Sequence, residues 1–224
     1  MPLAVRFDDA ADYVQRTTDM PSSQTFTAMG WYYISVSTAV PNFWVLSVAG
    51  KWVFCGRESG TAYTEANYTG IGFEAANGSA LGTETWYHIS MTRQDGGADP
   101  PINYWLNGVV DATITPADAD WTPDNMQIGL WSGSGNQFNG RCAGFKLWSG
   151  LVLSEAQIQA EMTQYYPILK TSLYMATPFN GNILDISGNE RNWTGAGALT
   201  YEDGPPIPLG APSSGFIGLL GVGR

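Results

Sequence analysis

Residues 85–93 read TWYHISMTR and, after the loop QDGGADPP, residues 102–114 read INYWLNGVVDATI. In the first stretch Tyr87, Ile89 and Met91 fall on one side and Trp86, His88 and Ser90 on the other, the two-residue period of a strand packed on a core. In the second, Asn107-Gly108 separates two alternating runs. A two-residue type I′ turn needs positive φ at both central positions, which Asn and Gly tolerate, so the pattern predicts a tight β-hairpin. The chain is read as a β protein from here outward.

Further extended segments recur with turn residues between them. VRF (5–7) and DYV (12–14) flank an acidic turn, and FTAMGWYYISV (26–36) alternates along its length. NFWVLSV passes through Ala49-Gly50 into KWVFC, a second hairpin. Residues 56–82 are polar, Gly-rich and weakly periodic except for GIGFEA, and read as a long rim excursion with one or two short strands. NMQIGL (125–130) and FNGRCAGFKLW (138–148) add two more strands. One helix is expected, over SEAQIQAEMTQYY (154–166). There Ser154 caps, Gln157 completes a capping box, Glu155 suits the positive helix start, and Ile158 and Met162 form an apolar face. Many strands, one helix and no βαβ alternation imply an all-β, antiparallel jelly-roll sandwich with a short helical lid.

Composition agrees and narrows the function. Nine Trp, eleven Tyr and nine Phe suit pleated, half-buried surfaces, and 27 Gly with 13 Pro supply turns. Ten basic against twenty acidic residues, with no Lys/Arg run, argue against an electrostatic grip on nucleic acid or anionic lipid. The longest apolar run, FIGLLGV (216–222), is far short of the ~18 residues of a membrane span. The opening MPLAVRFDDAADYV lacks the features of a secretory leader, so a soluble product made in the cytoplasm is expected. Cys55 and Cys142 have no metal-thiolate spacing and are expected as separately packed thiols, with pairing left open.

TWYHISMTR, YWLNG and IGLWSGSGNQFNGRCAGFKLWSGLVLSEAQI together resemble the laminin-G-like branch of the concanavalin A-like lectin/glucanase superfamily. Trp86, His88, Asn107, Gly108, Phe138, Gly140, Trp148, Leu153, Ser154 and Ile158 carry the resemblance, AVRFDDAADYV matches the family's early strand, and the coverage is roughly residues 3–165. Many members place an Asp-x-Ser-Gly-Asn strand before the Arg-Phe strand. Here that pattern, Asp185 to Asn189, comes last. If the termini lie side by side, moving the segment leaves the same sheet complete. The resemblance therefore implies one sandwich over 1–204, with 171–203 pairing beside the N-terminal strand and 205–224 left as a Pro/Gly-rich apolar tail. A separate C-terminal appendage is the competing reading.

The superfamily holds both glycan binders and enzymes. The glucanase pattern Glu-x-Asp-x-x-Glu is missing, and Glu155 and Glu161 sit on the helix, where solvation is the ordinary explanation. His88 is the sole histidine, so triads and His-based zinc sites lack parts, and its strand position implies packing and a hydrogen bond. GSGNQFNG (133–140) joins strands and is no phosphate loop. No catalytic residue, resident cofactor or metal is expected. The resemblance admits Ca²⁺ at the rim, with Asp95, Asp99 and Asp185 as the acids to inspect, against their reading as solvated loop acids.

Trp121 in DADWTPD and Trp131 in WSGSGNQ are the candidate sugar-stacking residues, while the other Trp residues are read as core. The N-x-Ser/Thr matches at Asn67, Asn77 and Asn192 are read as coincidental. The tail, GPPIPLGAPSSGFIGLLGVGR, is read as an arm that docks on a neighbouring subunit, or as a disordered end. The expectation is a non-enzymatic virion structural or surface protein of phage type (fibre, tail or capsid-decoration module), homo-oligomeric, with glycan binding or adhesion. The alternatives are a bacterial surface or secreted glycan-binding module and, more remotely, a polysaccharide-cleaving enzyme.

Overall fold

The computed structural model describes residues 1–8, 11–36, 42–58, 60–68, 72–96, 100–116, 122–130 and 137–210. Two antiparallel sheets face each other. Sheet I contains β1 (Leu3–Phe7), β3 (Phe26–Ile34), β8 (Trp86–Arg93), β9 (Ile102–Leu106), β10 (Val109–Ile114), β12 (Gly140–Ser149), β13 (Leu173–Thr177) and β15 (Thr200–Asp203). Its order is β10-β9-β8-β3-β12-β1-β15, with β13 also paired to β12. Sheet II contains β2 (Tyr13–Arg16), β4 (Asn42–Val48), β5 (Lys51–Glu58), β6 (Thr61–Tyr68), β7 (Gly72–Ala80), β11 (Asn125–Ile128) and β14 (Thr194–Ala196), in the order β14-β2-β11-β4-β5-β6-β7. This is the jelly-roll sandwich that the alternation implies.

The core lies between the sheets. Val5, Phe7, Tyr32, Ile89, Met91, Tyr104 and Phe145 of sheet I meet Val14, Trp44, Leu46, Val53, Met126 and Ile128 of sheet II. Burying each such side chain contributes roughly 1.5–3 kcal/mol. Phe26 and Trp44 meet edge-on across the gap, with centroids 5.9 Å apart. Cys55 and Cys142 are both free and buried in this layer, where burial pushes both thiols far above their usual range.

Both predicted hairpins are present. β9 and β10 turn at Asn107 and Gly108, with φ of 51° and 83°, and the Asn107 carboxamide accepts from the His88 amide at 3.0 Å. β4 and β5 turn at Ala49-Gly50, where Gly50 has φ of 74°. Residues 56–82 differ from the expected rim excursion. β5 continues to Glu58, Gly60 turns the chain, and β6 and β7 complete one edge of sheet II. Thr, Tyr and Ala make these strands, and the polar alternation is faint because β7 is an edge with little apolar face to bury.

The helix α1 (Glu155–Glu161) is shorter than the sequence pattern suggested. Its capping box forms as read, with the Ser154 hydroxyl accepting from the Gln157 amide and the Gln157 side chain accepting from the Ser154 amide. Glu161 is not solvated. It is 1% exposed and paired at 2.8 Å with Lys146 Nζ, which is equally buried and also donates to the Glu161 and Gln164 carbonyls. The carboxylate accepts besides from the Ile168 and Leu169 amides. A Glu in the last helical turn has no favourable dipole there, so the buried lysine beneath it decides its position.

Residues 173–203 enter both sheets. β13 pairs with β12, β14 with β2, and β15 with β1 in the register Leu3↔Asp203 to Arg6↔Thr200. Arg6 and Arg141 both approach Glu202, at 3.9 and 3.5 Å, and Arg16 and Arg191 both approach Asp19, at 3.5 and 2.6 Å. Asp185 explains its own turn. One of its oxygens accepts from the Ala176 and Ser187 amides, the other from the Ser187 hydroxyl and the Arg191 amide. With Ile186 donating to the Ala176 carbonyl, the turn covers the free edge of β13.

Beyond β15, residues 205–210 lie along the α1–β13 connection. The Pro208 and Leu209 carbonyls accept from the Tyr165 and Tyr166 amides, and Ile207 and Leu209 pack with Trp31, Trp86 and Tyr165.

Candidate functional site

A sandwich has two outward faces, and here they differ. On sheet I, α1 and the following linker cover the central strands. His88 is 1% exposed, packs against Trp31 with ring centroids 5.3 Å apart, and lies 3.5 Å from the Ser90 hydroxyl. Burial, reinforced by the Lys146 charge, pulls its pKa down to about 3, so the ring is neutral near pH 7. The sequence-level reading of His88 as a packed residue agrees with this place. Beyond the lid, Trp86, Tyr33 and Arg141 form a ladder, with the guanidinium 3.9 Å over the Tyr33 ring. Arg141 is committed to the Asp203 carbonyl and to Glu202.

Among the described residues no helix lies on the outward face of sheet II; the centre of that face, Val45, Phe54, Tyr63, Glu65 and Gln127, is buried, and Trp52, Ser47, Asn125 and Gln15 are partly exposed. The Ala49-Gly50 hairpin sets Ser47 opposite Trp52 and Val45 opposite Phe54. Because Val53 and Cys55 point into the core, Trp52 and Phe54 must point out. β6 adds Glu65 beside Phe54 and Tyr63 beside Gly56, while β11 adds Asn125 beside Ser47 and Gln127 beside Val45. Gln15 of β2 follows Gln127.

The half-buried Trp52 indole donates to Glu65 at 2.6 Å, and the Tyr63 hydroxyl donates to the other Glu65 oxygen at 2.9 Å. The rings of Phe54 and Tyr63 pack at 5.6 Å. Burial holds the Glu65 carboxyl above the usual carboxylate range, with the two donors working against it. Burial and the Glu65 bond push the Tyr63 phenol up, so Tyr63 stays a donor. The Asn125 amide reaches Ser47 Oγ at 3.5 Å, and its Oδ1 accepts from no donor among the described residues. Gln127 donates to Gln15 at 3.3 Å. A fixed aromatic ring beside carboxamides and a hydroxyl is what sugar C–H faces and hydroxyls require.

Trp121, Trp131 and Asp99 lie outside the described residues. Asp95 stands 3.9 Å from Arg93, and Asp185 spends both oxygens on its turn. Among the described residues no three His, Cys, Asp or Glu side chains gather as a metal-binding set. The reading of strand tryptophans as core needs correction. Trp44, Trp105, Trp148 and Trp193 are buried, but Trp31, Trp52 and Trp86 face outward and are only partly covered. Trp52 was findable, since parity counted from the Ala-Gly turn separates it from Val53 and Cys55 once their core role is granted.

The two facing antiparallel sheets form a concanavalin A-like jelly-roll sandwich. Residues 8–159 match the family model described as the concanavalin A-like lectin/glucanases superfamily, laminin G type, and the chain belongs to that family. Among solved structures it is similar to a Bacteroides ovatus protein assigned to carbohydrate binding, with a TM-score of 0.65 and 16% identity over 94% of this chain. The chain spans 62% of that protein's length. It is also similar to the heptameric SAP-like pentraxin of Limulus polyphemus, with a TM-score of 0.64 and 11% identity over 89% of this chain and 94% of the pentraxin. A third is the carbohydrate-binding module CBM40 of the Ruminococcus gnavus IT-sialidase bound to α2,3-sialyllactose, with a TM-score of 0.57 and 12% identity over 70% of this chain and 95% of the module. Among curated protein sequences none matches significantly.

Proposed function

We propose that this domain is a non-enzymatic glycan-binding module whose contact surface is the outward face of sheet II around Trp52. The observation that carries the reading is the Trp52–Glu65–Tyr63 group, an indole locked in place and set beside the polar row Ser47–Asn125. Hydrolysis is disfavoured by spacing. The other carboxylate in the outward register, Glu58, stands four residues beyond Phe54 on β5. That is roughly 13 Å along the strand, outside the ~5–9.5 Å spanned by a glycosidic pair.

In its finer form the reading is a particle-surface subunit, a fibre, tail or capsid-decoration module of a virion, that assembles with further copies through its C-terminal residues. The apolar, Gly-rich sequence after Gly210 supports it. The placement on a bacterial surface, or as a secreted module, is supported by the bacterial source of two of the similar structures.

The test is a glycan array probed with the full chain and with Trp52→Ala. Binding to a defined set of glycans, weakened at least tenfold by the substitution while the fold is kept, is the expected result. An empty array, or binding indifferent to Trp52, overturns the proposal. Light scattering of the full chain against a chain ending at Gly210 tests assembly: a discrete oligomer that dissociates on truncation supports the particle reading, and two monomers remove it.

A further inference from the structure

From the charge layout of the same face we infer that the Trp52 site selects uncharged sugars and rejects anionic ones. The inference rests on the glycan-binding reading just given and names the ligand class within it.

The outward register of β2, β11, β4, β5 and β6 supplies Tyr13 and Gln15, Asn125 and Gln127, Asn42, Val45 and Ser47, Trp52, Phe54, Gly56 and Glu58, and Thr61, Tyr63 and Glu65. No Lys or Arg falls in that register, and two carboxylates do. The nearby cations, Lys51, Arg16 and Arg57, belong to the opposite register, and both arginines are used elsewhere. Arg16 donates to the Asn192 carbonyl and pairs with Asp19, and Arg57 Nε donates to the Leu81 carbonyl.

The hydrogen-bonding sense points the same way. Trp52 Nε1 and the Tyr63 hydroxyl, the two fixed donors at the centre, are both spent on Glu65; among the described residues Asn125 Oδ1 and both carboxamide atoms of Asn42 have no partner. With its two fixed donors spent on a carboxylate, this centre fits ligands that donate, and neutral sugar hydroxyls donate. The carboxylate of a sialic acid or uronate, or a sulfate group, brings only acceptors and a negative charge, so it would give up its own hydration without finding a cation in this register. The formal charge of the chain, -10, adds a long-range bias in the same direction. The face behind the sandwich differs in this respect, because Arg6 and Arg141 stand directly opposite each other on β1 and β12.

The experiment is an array carrying neutral glycans beside their sialylated, sulfated and uronate-bearing counterparts, probed with the wild-type chain, Trp52→Ala and Glu65→Gln. The expected result is neutral glycans bound at least tenfold more tightly than their anionic counterparts, binding lost in Trp52→Ala, and the gap narrowed in Glu65→Gln. Anionic glycans bound as tightly as neutral ones, through a site that Trp52→Ala still removes, overturn this inference and leave the glycan-binding reading standing. No binding at all, or binding that survives Trp52→Ala, overturns both. Circular dichroism of the two variants separates loss of fold from loss of contact, and if Glu65→Gln fails to fold, Glu58→Gln tests the same charge from the edge of the face.

Discussion

The outward faces of the two sheets follow the same pleat but have been finished differently. On sheet I, His88, Ser90 and Lys146 occupy positions that alternation alone would give to solvent, yet all three are buried under α1 and its linker. On sheet II, Val45, Phe54, Tyr63, Glu65 and Gln127 are buried too, but Trp52, Ser47, Asn125 and Gln15 remain partly exposed. A strand's polar alternate positions therefore do not by themselves mark a wet surface. One short helix, pinned by one lysine, turned the first face into a second small core of Met29, Trp105, Trp148, Leu153 and Ile158. The contrast predicts that substitutions under the lid of sheet I cost stability and those at the partly exposed residues of sheet II cost binding.

The largest expected effect is at the pin. Lys146→Met leaves the Glu161 carboxylate buried without its cation, and breaking a buried pair in this way costs about 3–5 kcal/mol. Urea denaturation should show that loss, with α1 detaching first in hydrogen exchange. A loss under about 1 kcal/mol would mean that the lid is not held by this pair and that the two faces are finished alike.

The next effect is a pH dependence. His88 has a folded pKa of about 3 against an unfolded value of 6.5, so the unfolded chain binds the proton first. Its contribution is full above pH 6.5 and is lost as pH falls toward 3, at up to about 1.4 kcal/mol per pH unit. Glu65, whose pKa is raised, has the opposite sign and gains stability as pH falls through its folded value. Denaturation midpoints measured between pH 7 and pH 4 should decline for the wild type and flatten in His88→Gln. Equal slopes would show that the ring is not sealed.

What the sequence made legible follows from locality. The Asn107-Gly108 and Ala49-Gly50 hairpins and the Ser154–Gln157 capping box are specified within a few residues by backbone chemistry, and all three are present. Residues 61–80 are faint in the sequence because β7 is an edge strand with little apolar periodicity and β6 beside it sets small Ala residues, not large apolar ones, toward the core. Glu161 was misread because its cation lies fifteen residues away on another element, a separation no local pattern reports. The same blindness hid Trp52. Its indole looks like any strand tryptophan until the partners Glu65 and Tyr63 arrive from β6 and the core claims Val53 and Cys55.

The smallest stability effect discriminates best between the faces. Asn125 is partly exposed, its side-chain bond to Ser47 is long at 3.5 Å, and its Oδ1 has no donor among the described residues, so the folded chain gains little from it. Asn125→Ala is therefore expected to change stability by no more than about 0.5 kcal/mol while weakening glycan binding several-fold, read by calorimetry on the best array ligand. A protein keeps an unsatisfied buried carbonyl for packing or for a partner. Alanine at 125 separates the two, because a packing role would appear in the denaturation curve and a partner's role would appear only in the titration.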